Sequence, residues 1–297
     1  MKFLLTSGLL LLLVFFAGRL MAQGKVQVIT KTVEKNFSYK EGESIQLEGE
    51  KSGIKVMGWE GKEVKVKLKL ISKALTRQVA QQELDYQRYI LEKRRGVIHL
   101  KNYFALPNGK AQPNAILLAE YEVWVPTGAS LQITNSYGNV HVVNTSGNTS
   151  IDSRYGNISL ENMNGRGDYK SYFGDFTATT IAGQIICSFT HTKTSIKGIT
   201  GSASFKNTLG DIYISGLTDI SFLTVDAEKS DIHLSMNQLN HYQYQLESQF
   251  GEVTLPGHIK SSTVNHSAQL ARWQYGAKGL PLIKVHTSFG KIILEGK

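Results

Sequence analysis

From residue 129 onward, apolar and polar positions alternate in short bursts that recur in register. Val140, Ile158, Phe176, Thr194 and Ile212 share one column. Val142, Leu160, Ala178, Ile196 and Ile214 share a second, and His141, Ser159, Thr177, Ser195 and Tyr213 fall between them. Alternation with period two predicts a strand with one face buried. A further apolar column holds Ile151, Tyr169, Cys187 and Phe205.

Turn residues punctuate these bursts at a nine-residue beat. Gly138, Gly156, Gly174 and Gly210 form one series, with Thr192 where a fifth member would fall. Gly147, Gly165, Gly183 and Gly201 form a second series halfway between. Each pair of beats therefore supplies two strands and two tight turns, about 18 residues in all. One such unit cannot bury its apolar face alone, but stacked units join their columns into one core. The expected architecture is an all-β solenoid with Val140, Ile158, Phe176, Ile212, Ile151, Tyr169, Cys187 and Phe205 in the core. Glycine at each corner supplies either a positive φ or room for close backbone approach. Asn139, Asn157, Asp175 and Asp211 follow the corner glycine and suit turn chemistry and a stacked polar ladder. Tyr137, Tyr155 and Phe173 precede it and are expected to stack, sealing the coil edge, with sugar stacking as the alternative.

The beat loosens after Gly216, although Ser230-Asp231-Ile232, Phe250-Gly251-Glu252-Val253 and Phe289-Gly290-Lys291-Ile292 repeat its words. Division of 129–297 by the repeat gives roughly nine coils and a rod on the order of 45 Å long. Residues 256–281, with Trp273 and Tyr275, fit an insertion or a cap.

Residues 23–128 form a β-rich region without the beat. Ile45/Leu47, Ile54/Val56 and Val64/Val66/Leu68/Leu70 alternate with polar residues, the last run carrying Lys65, Lys67 and Lys69 on its outer face. Ala74 to Tyr89 lacks Gly and Pro and predicts one short helix. Ala119 to Val125 reads as a strand ending at Pro126-Thr127-Gly128. A boundary is placed there, between an N-terminal capping region and a repeat domain at 129–297.

Lys2, the uncharged run from Leu9 to Ala17, and Met21-Ala22-Gln23 have the layout of a secretory signal peptide over 1–22. The run is shorter than the ~20 apolar residues of a spanning helix. The mature chain is thus expected to be exported to the periplasm, the outer surface or the medium, with no integral membrane segment. Without Lys2 and Arg19 its net charge falls from +9 to +7, an excess that serves solubility or attracts anionic surfaces. The single Cys187 excludes an internal disulfide.

The order of pieces is informative beyond any one of them: an exported chain, Gly53-Ile54-Lys55-Val56 followed by Trp59, Val125-Pro126-Thr127-Gly128-Ala129-Ser130-Leu131, then Gly-Asn/Asp-Ile/Val repeats. From Val33 to the C-terminus it resembles the bacterial "putative adhesin" family of repeated β-strands, a domain of unknown function. The resemblance implies an envelope location and a non-enzymatic role.

Reactive constellations are sparse. A calcium roll needs several glycines and an Asp per nonapeptide, which these repeats lack. Asp175 and Asp211 share a turn column about 10 Å apart, a span that suits an inverting carboxylate pair, but their column holds Asn in other coils. The eight histidines show no close ligand spacing, and Cys187 fits a buried inert thiol. Arg166-Gly167-Asp168 spells an integrin tripeptide but is expected flat on a coil. No catalytic, cofactor or metal residues are assigned, and no nucleic-acid partner is expected. The sequence favours a non-enzymatic scaffold or adhesin binding a cell-surface glycan or envelope protein. The alternative is a carbohydrate-active β-helix enzyme with a cleft near 256–281.

Overall fold

The computed structural model describes residues 25–109, 112–259, 264–267 and 269–296. The leader expected at 1–22 lies outside the described residues. Among the described residues the fold is all-β with one α-helix. Its N-terminal part comprises β1 (Gln27–Ser38), β2 (Ser44–Glu50), β3 (Ser52–Trp59), β4 (Glu63–Ala74), α1 (Arg77–Leu84), β5 (Gln87–Arg94), β6 (Val97–Phe104) and β7 (Ile116–Pro126). The middle comprises β8 (Ser130–Ser136), β9 (Val140–Thr145), β10 (Thr149–Arg154), β11 (Ile158–Met163), β12 (Arg166–Tyr172), β13 (Phe176–Thr190), β14 (Thr194–Thr208) and β15 (Ile212–Glu228). The C-terminal part comprises β16 (Ile232–Met236), β17 (Gln243–Gln249), β18 (Val253–Thr254), β19 (Asn265–His266), β20 (Leu270–Tyr275), β21 (Leu282–Ser288) and β22 (Ile292–Gly296).

Middle strands stack in parallel and in the register of the columns. Ile158 lies between Val140 and Phe176, and Phe176 is followed by Thr194 and Ile212. On the opposite face, Ile151, Tyr169, Cys187 and Phe205 pair in succession. All eight core residues named from sequence are buried. Burying a side chain such as Phe176 contributes about 1.5–3 kcal/mol, and stacking makes the columns one continuous cluster from Phe37 to Leu294.

Spatial order departs from chain order at both ends. β2 and β3 are followed in sequence by β4, yet β2 sits between β6 and β8, and β3 between β7 and β9. At the other end β21 sits between β15 and β17, and β22 between β16 and β18. The first and last coils are thus threaded inside the stack. Antiparallel strands finish the ends: β1 on β4, β5 on β6, and β20 on β17. These cover edges that parallel rungs would leave open. Sheet and core also run through Pro126–Gly128, because β8 and β9 pair directly with β2 and β3.

Two expectations need correction. Nine equal coils do not describe the chain beyond Gly216, because Ile212 pairs with Ile232 and Ile232 in turn with Ile292. The helix is also shorter than Ala74 to Tyr89. Ala74 ends β4, Gln87 to Tyr89 begin β5, and Leu75 is exposed. The helix starts where the Thr76 hydroxyl accepts from the Val79 N–H at 3.3 Å, an N-cap. It is tied to the sheet through Glu83, whose carboxylate accepts from the Ala115 N–H at 2.6 Å.

Candidate binding surfaces

The corner after each strand of the Ile151 face fixes a column of exposed side chains. Backbone N–H groups of Lys51, Tyr137, Tyr155, Phe173, His191, Leu209, Lys229, Phe289 and Phe250 each donate to a carbonyl of the next rung. All nine have φ between 49 and 62, the left-handed region that side chains other than Gly and Asn adopt at a cost of about 1–2 kcal/mol each. The glycine that follows serves another purpose. A Cβ on Gly156 would meet the Gly138 carbonyl oxygen at 2.1 Å, and Gly138 itself faces the Ser52 oxygen at the same distance. Close approach therefore dictates Gly138, Gly156 and Gly174, whereas Gly165, Gly183, Gly201 and Gly210 combine close approach with positive φ. Gly147 also lies against carbonyl oxygens. At Thr192 the hydroxyl instead bonds to Ser171 and Thr190.

The aromatic corner residues stack: Tyr137 on Tyr155 at 4.9 Å and 7°, Tyr155 on Phe173 at 5.3 Å and 9°, and Phe173 on His191 at 4.6 Å and 17°. Phe250 and Phe289 repeat the arrangement at 4.9 Å. These aromatic rings are about half exposed, and Tyr155 and Phe173 carry a ring on each face, so within the stack their edges meet solvent. That geometry offsets the backbone cost and leaves no open face for a sugar within the stack.

Beside this ridge runs the polar ladder. Asn139 Oδ1 accepts from the Asn157 N–H at 3.0 Å, and Asn157 Oδ1 from the Asp175 N–H at 2.9 Å. Asp211 and Asp231 continue it, accepting from Asp231 and Lys291. The carboxylate of Asp211 is thus held in turn bonding, and Asp175 lies in the same column. Cys187 is buried, and burial with a nearby Asp168 charge pushes its thiol well above the ordinary range, so it is inert at neutral pH. Arg166, Gly167 and Asp168 lie within β12, flat on the face. Among the described residues no three His, Cys, Asp or Glu side chains cluster as metal ligands. Lys67 and Lys69 of the lysine run pair with Glu122 at 3.5 Å and Glu120 at 3.3 Å, and Lys65 lies over the Trp59 ring at 4.2 Å.

A groove of about 630 Å³ lies on the outer face of β15, β21, β17 and β20. Register aligns Thr224, Lys284, Gln245 and Gln274 in one row, and Asp226, His286, Glu247 and Arg272 in the next. Arg272 donates to Glu247 Oε2 through Nε at 2.8 Å and Nη2 at 2.6 Å. His286 Nδ1 lies 3.6 Å from Glu247 Oε1. Sequence reasoning placed a cleft near 256–281 only for the enzyme alternative and named none of these residues, because they come from four strands that meet only through the threaded last coil. A signal exists in the words Thr224-Val225-Asp226, Gln245-Leu246-Glu247, Arg272-Trp273-Gln274 and Lys284-Val285-His286, each polar, apolar, polar.

Residues 22–294 match the family described as Toastrack DUF4097. The chain belongs to that family. The match spans both threaded ends and the regular coils of this Toastrack chain. No curated protein matches it. Similar solved structures include an adhesin, styled putative, from Bacteroides fragilis, at 12% identity, covering 90% of this chain and 97% of that one, with a TM-score of 0.46. Another so styled, from Parabacteroides merdae, is 10% identical, covers 89% and 96%, and has a TM-score of 0.45. A lipid-binding protein, also styled putative, from Parabacteroides distasonis is 13% identical, covers 89% and 96%, and has a TM-score of 0.40. No helix of the described residues is long and apolar enough to cross a membrane.

Proposed function

We propose that this Toastrack chain is an exported, non-enzymatic interaction module of the cell envelope, an adhesin or scaffold that binds through its outer β faces. The supporting observation is the continuous rung-to-rung bonding of the corner column from Lys51 to Phe250. It fixes outward side chains in rows on a stiff surface, which suits recognition of an extended partner with little reorganisation on binding. A cell-surface glycan or an envelope protein fits such a surface. The repeat-domain boundary after Gly128 would then mark where regular presentation begins.

The competing reading is a polysaccharide-cleaving enzyme. It draws on Asp226 and Glu247, which flank His286 in the groove. In that groove Glu247 Oε2 is already engaged by Arg272 Nε at 2.8 Å and Nη2 at 2.6 Å, which leaves Asp226 without an unengaged carboxylate partner there. Cell fractionation with antibody detection should recover the mature chain in the periplasm, outer membrane or medium. Incubation with a polysaccharide panel should release no reducing ends or unsaturated products. Recovery in the cytosol, or sustained product release, would overturn the proposal.

A further inference from the structure

We infer that the groove over β15, β21, β17 and β20 binds a neutral saccharide chain; this rests on the reading of the protein as a binding module. Four features on one face support it. First, Gln245 and Gln274 stand side by side across antiparallel strands, and a pair of amides offers donors and acceptors to vicinal hydroxyls. Second, Lys284 and Asp226 on neighbouring rungs have no ion-pair partner among the described residues, so each has bonding capacity left for hydroxyls. Third, the formal charges of Lys284, Arg272, Asp226 and Glu247 cancel. That balance disfavours phosphorylated or uronate polymers, which a net basic site would attract.

The fourth feature is Phe222. It precedes Thr224 on the same outward face of β15 and is 40% exposed. Unlike Tyr155 and Phe173 of the corner ridge, it has no other ring against it among the described residues, and its exposed part is the surface this inference assigns to the C–H side of a sugar. It borders the groove beside Leu282, its register partner. The groove runs across four strands, about 14 Å, and lies on the surface rather than in an enclosed cavity. That shape suits a stretch of a longer chain better than a small free ligand.

The test uses the mature chain, residues 23–297, with isothermal titration against neutral hexasaccharides of glucose, mannose, xylose, galactose and N-acetylglucosamine, and against hexagalacturonate. At least one neutral hexasaccharide should bind saturably. Phe222→Ala and Gln245→Ala should each weaken it roughly tenfold, as expected for loss of a ring contact or of a hydrogen-bonded partner. Both positions are solvent-facing, so melting curves should match the parent. Tyr155→Ser, on the corner ridge, should leave affinity unchanged. Absence of binding to every neutral hexasaccharide, preference for hexagalacturonate, or parent-like affinity in both groove variants would overturn the inference while leaving the binding-module reading intact. Release of shorter products from a bound hexasaccharide would overturn that reading instead.

Discussion

The middle and the ends of this molecule solve the same problem in opposite ways. Between β8 and β15 each rung lies on the one that preceded it in the chain, so every contact is reached by a short loop. At the ends the terminal coils, β2–β3 and β21–β22, are laid between rungs made from other parts of the chain. The middle gains regularity and low contact order. The ends accept slower, long-range pairing, and in exchange β2–β3 and β21–β22 are clamped inside the sheet. A simple stack should lengthen or shorten by whole coils, whereas a threaded end should not tolerate loss of its inner rung.

The largest expected effect tests that contrast directly. Deleting 157–174 removes one rung and rejoins Gly156 to Asp175 in column. The protein should still fold cooperatively, at a lower melting temperature, because stack stability is close to a sum over rungs. Deleting 282–297 should abolish cooperative unfolding, since it bares β15 and β16 and detaches β17. Circular dichroism melts of both variants compare them. Equal tolerance would remove the distinction between middle and end.

Next in size is the comparison of two glycines. Gly156→Ala should cost on the order of 3 kcal/mol, because its Cβ would sit 2.1 Å from a carbonyl oxygen that cannot move without shifting a rung. Gly53→Ala, near the N-terminal end, meets nothing within 4 Å and should be neutral or stabilising by about 0.5 kcal/mol. Urea denaturation measures both. A smaller effect is expected at Tyr155→Asn. It relieves a left-handed backbone penalty and loses two ring stacks, so net stability should change by no more than ~1 kcal/mol. A loss well above that would make the ridge a main source of stability.

The smallest prediction concerns pH. Hydrogen bonding from Lys93 at 2.7 Å, then from the Lys40 N–H, lowers the Glu43 carboxyl below its ordinary range. A depressed acid stabilises the fold above its unfolded midpoint, and that contribution is lost as pH falls through the folded one. An NMR titration should place the Glu43 midpoint below that of an unpaired Glu, and Lys93→Met should raise it. An unchanged midpoint would remove the link.

The fate of each feature in the sequence follows the same division. Val140, Ile158 and Phe176 were legible as a column because their spatial neighbours are also their periodic neighbours. Ile292 was legible as the same word as Ile232 and Val253, but not its place between them, since the three sit at no fixed spacing. The overlong helix from Ala74 to Tyr89 has a similar cause. Gln87 and Tyr89 read as helical locally, and pairing with Phe104 and Asn102 draws them into a strand. The aromatic corner and its stacking were legible as a column, but the positive φ of its aromatic residues was not. The groove was invisible because Asp226, Glu247, Arg272 and His286 become neighbours only once β21 is threaded.

The spatial order of rungs is therefore the central claim, and engineered disulfides test it most directly. In a Cys187→Ser background, cysteine pairs at Thr224 with Lys284 and at Lys284 with Gln245 should cross-link under mild oxidation. Register partners on adjacent strands stand about 4.8 Å apart, within disulfide reach. A pair at Thr224 with Gln245 should stay reduced, two rungs apart at about 9.6 Å. Cross-linking of Thr224 with Gln245, and none with Lys284, would mean that the rungs stack in chain order and that neither the threaded end nor the groove exists as described.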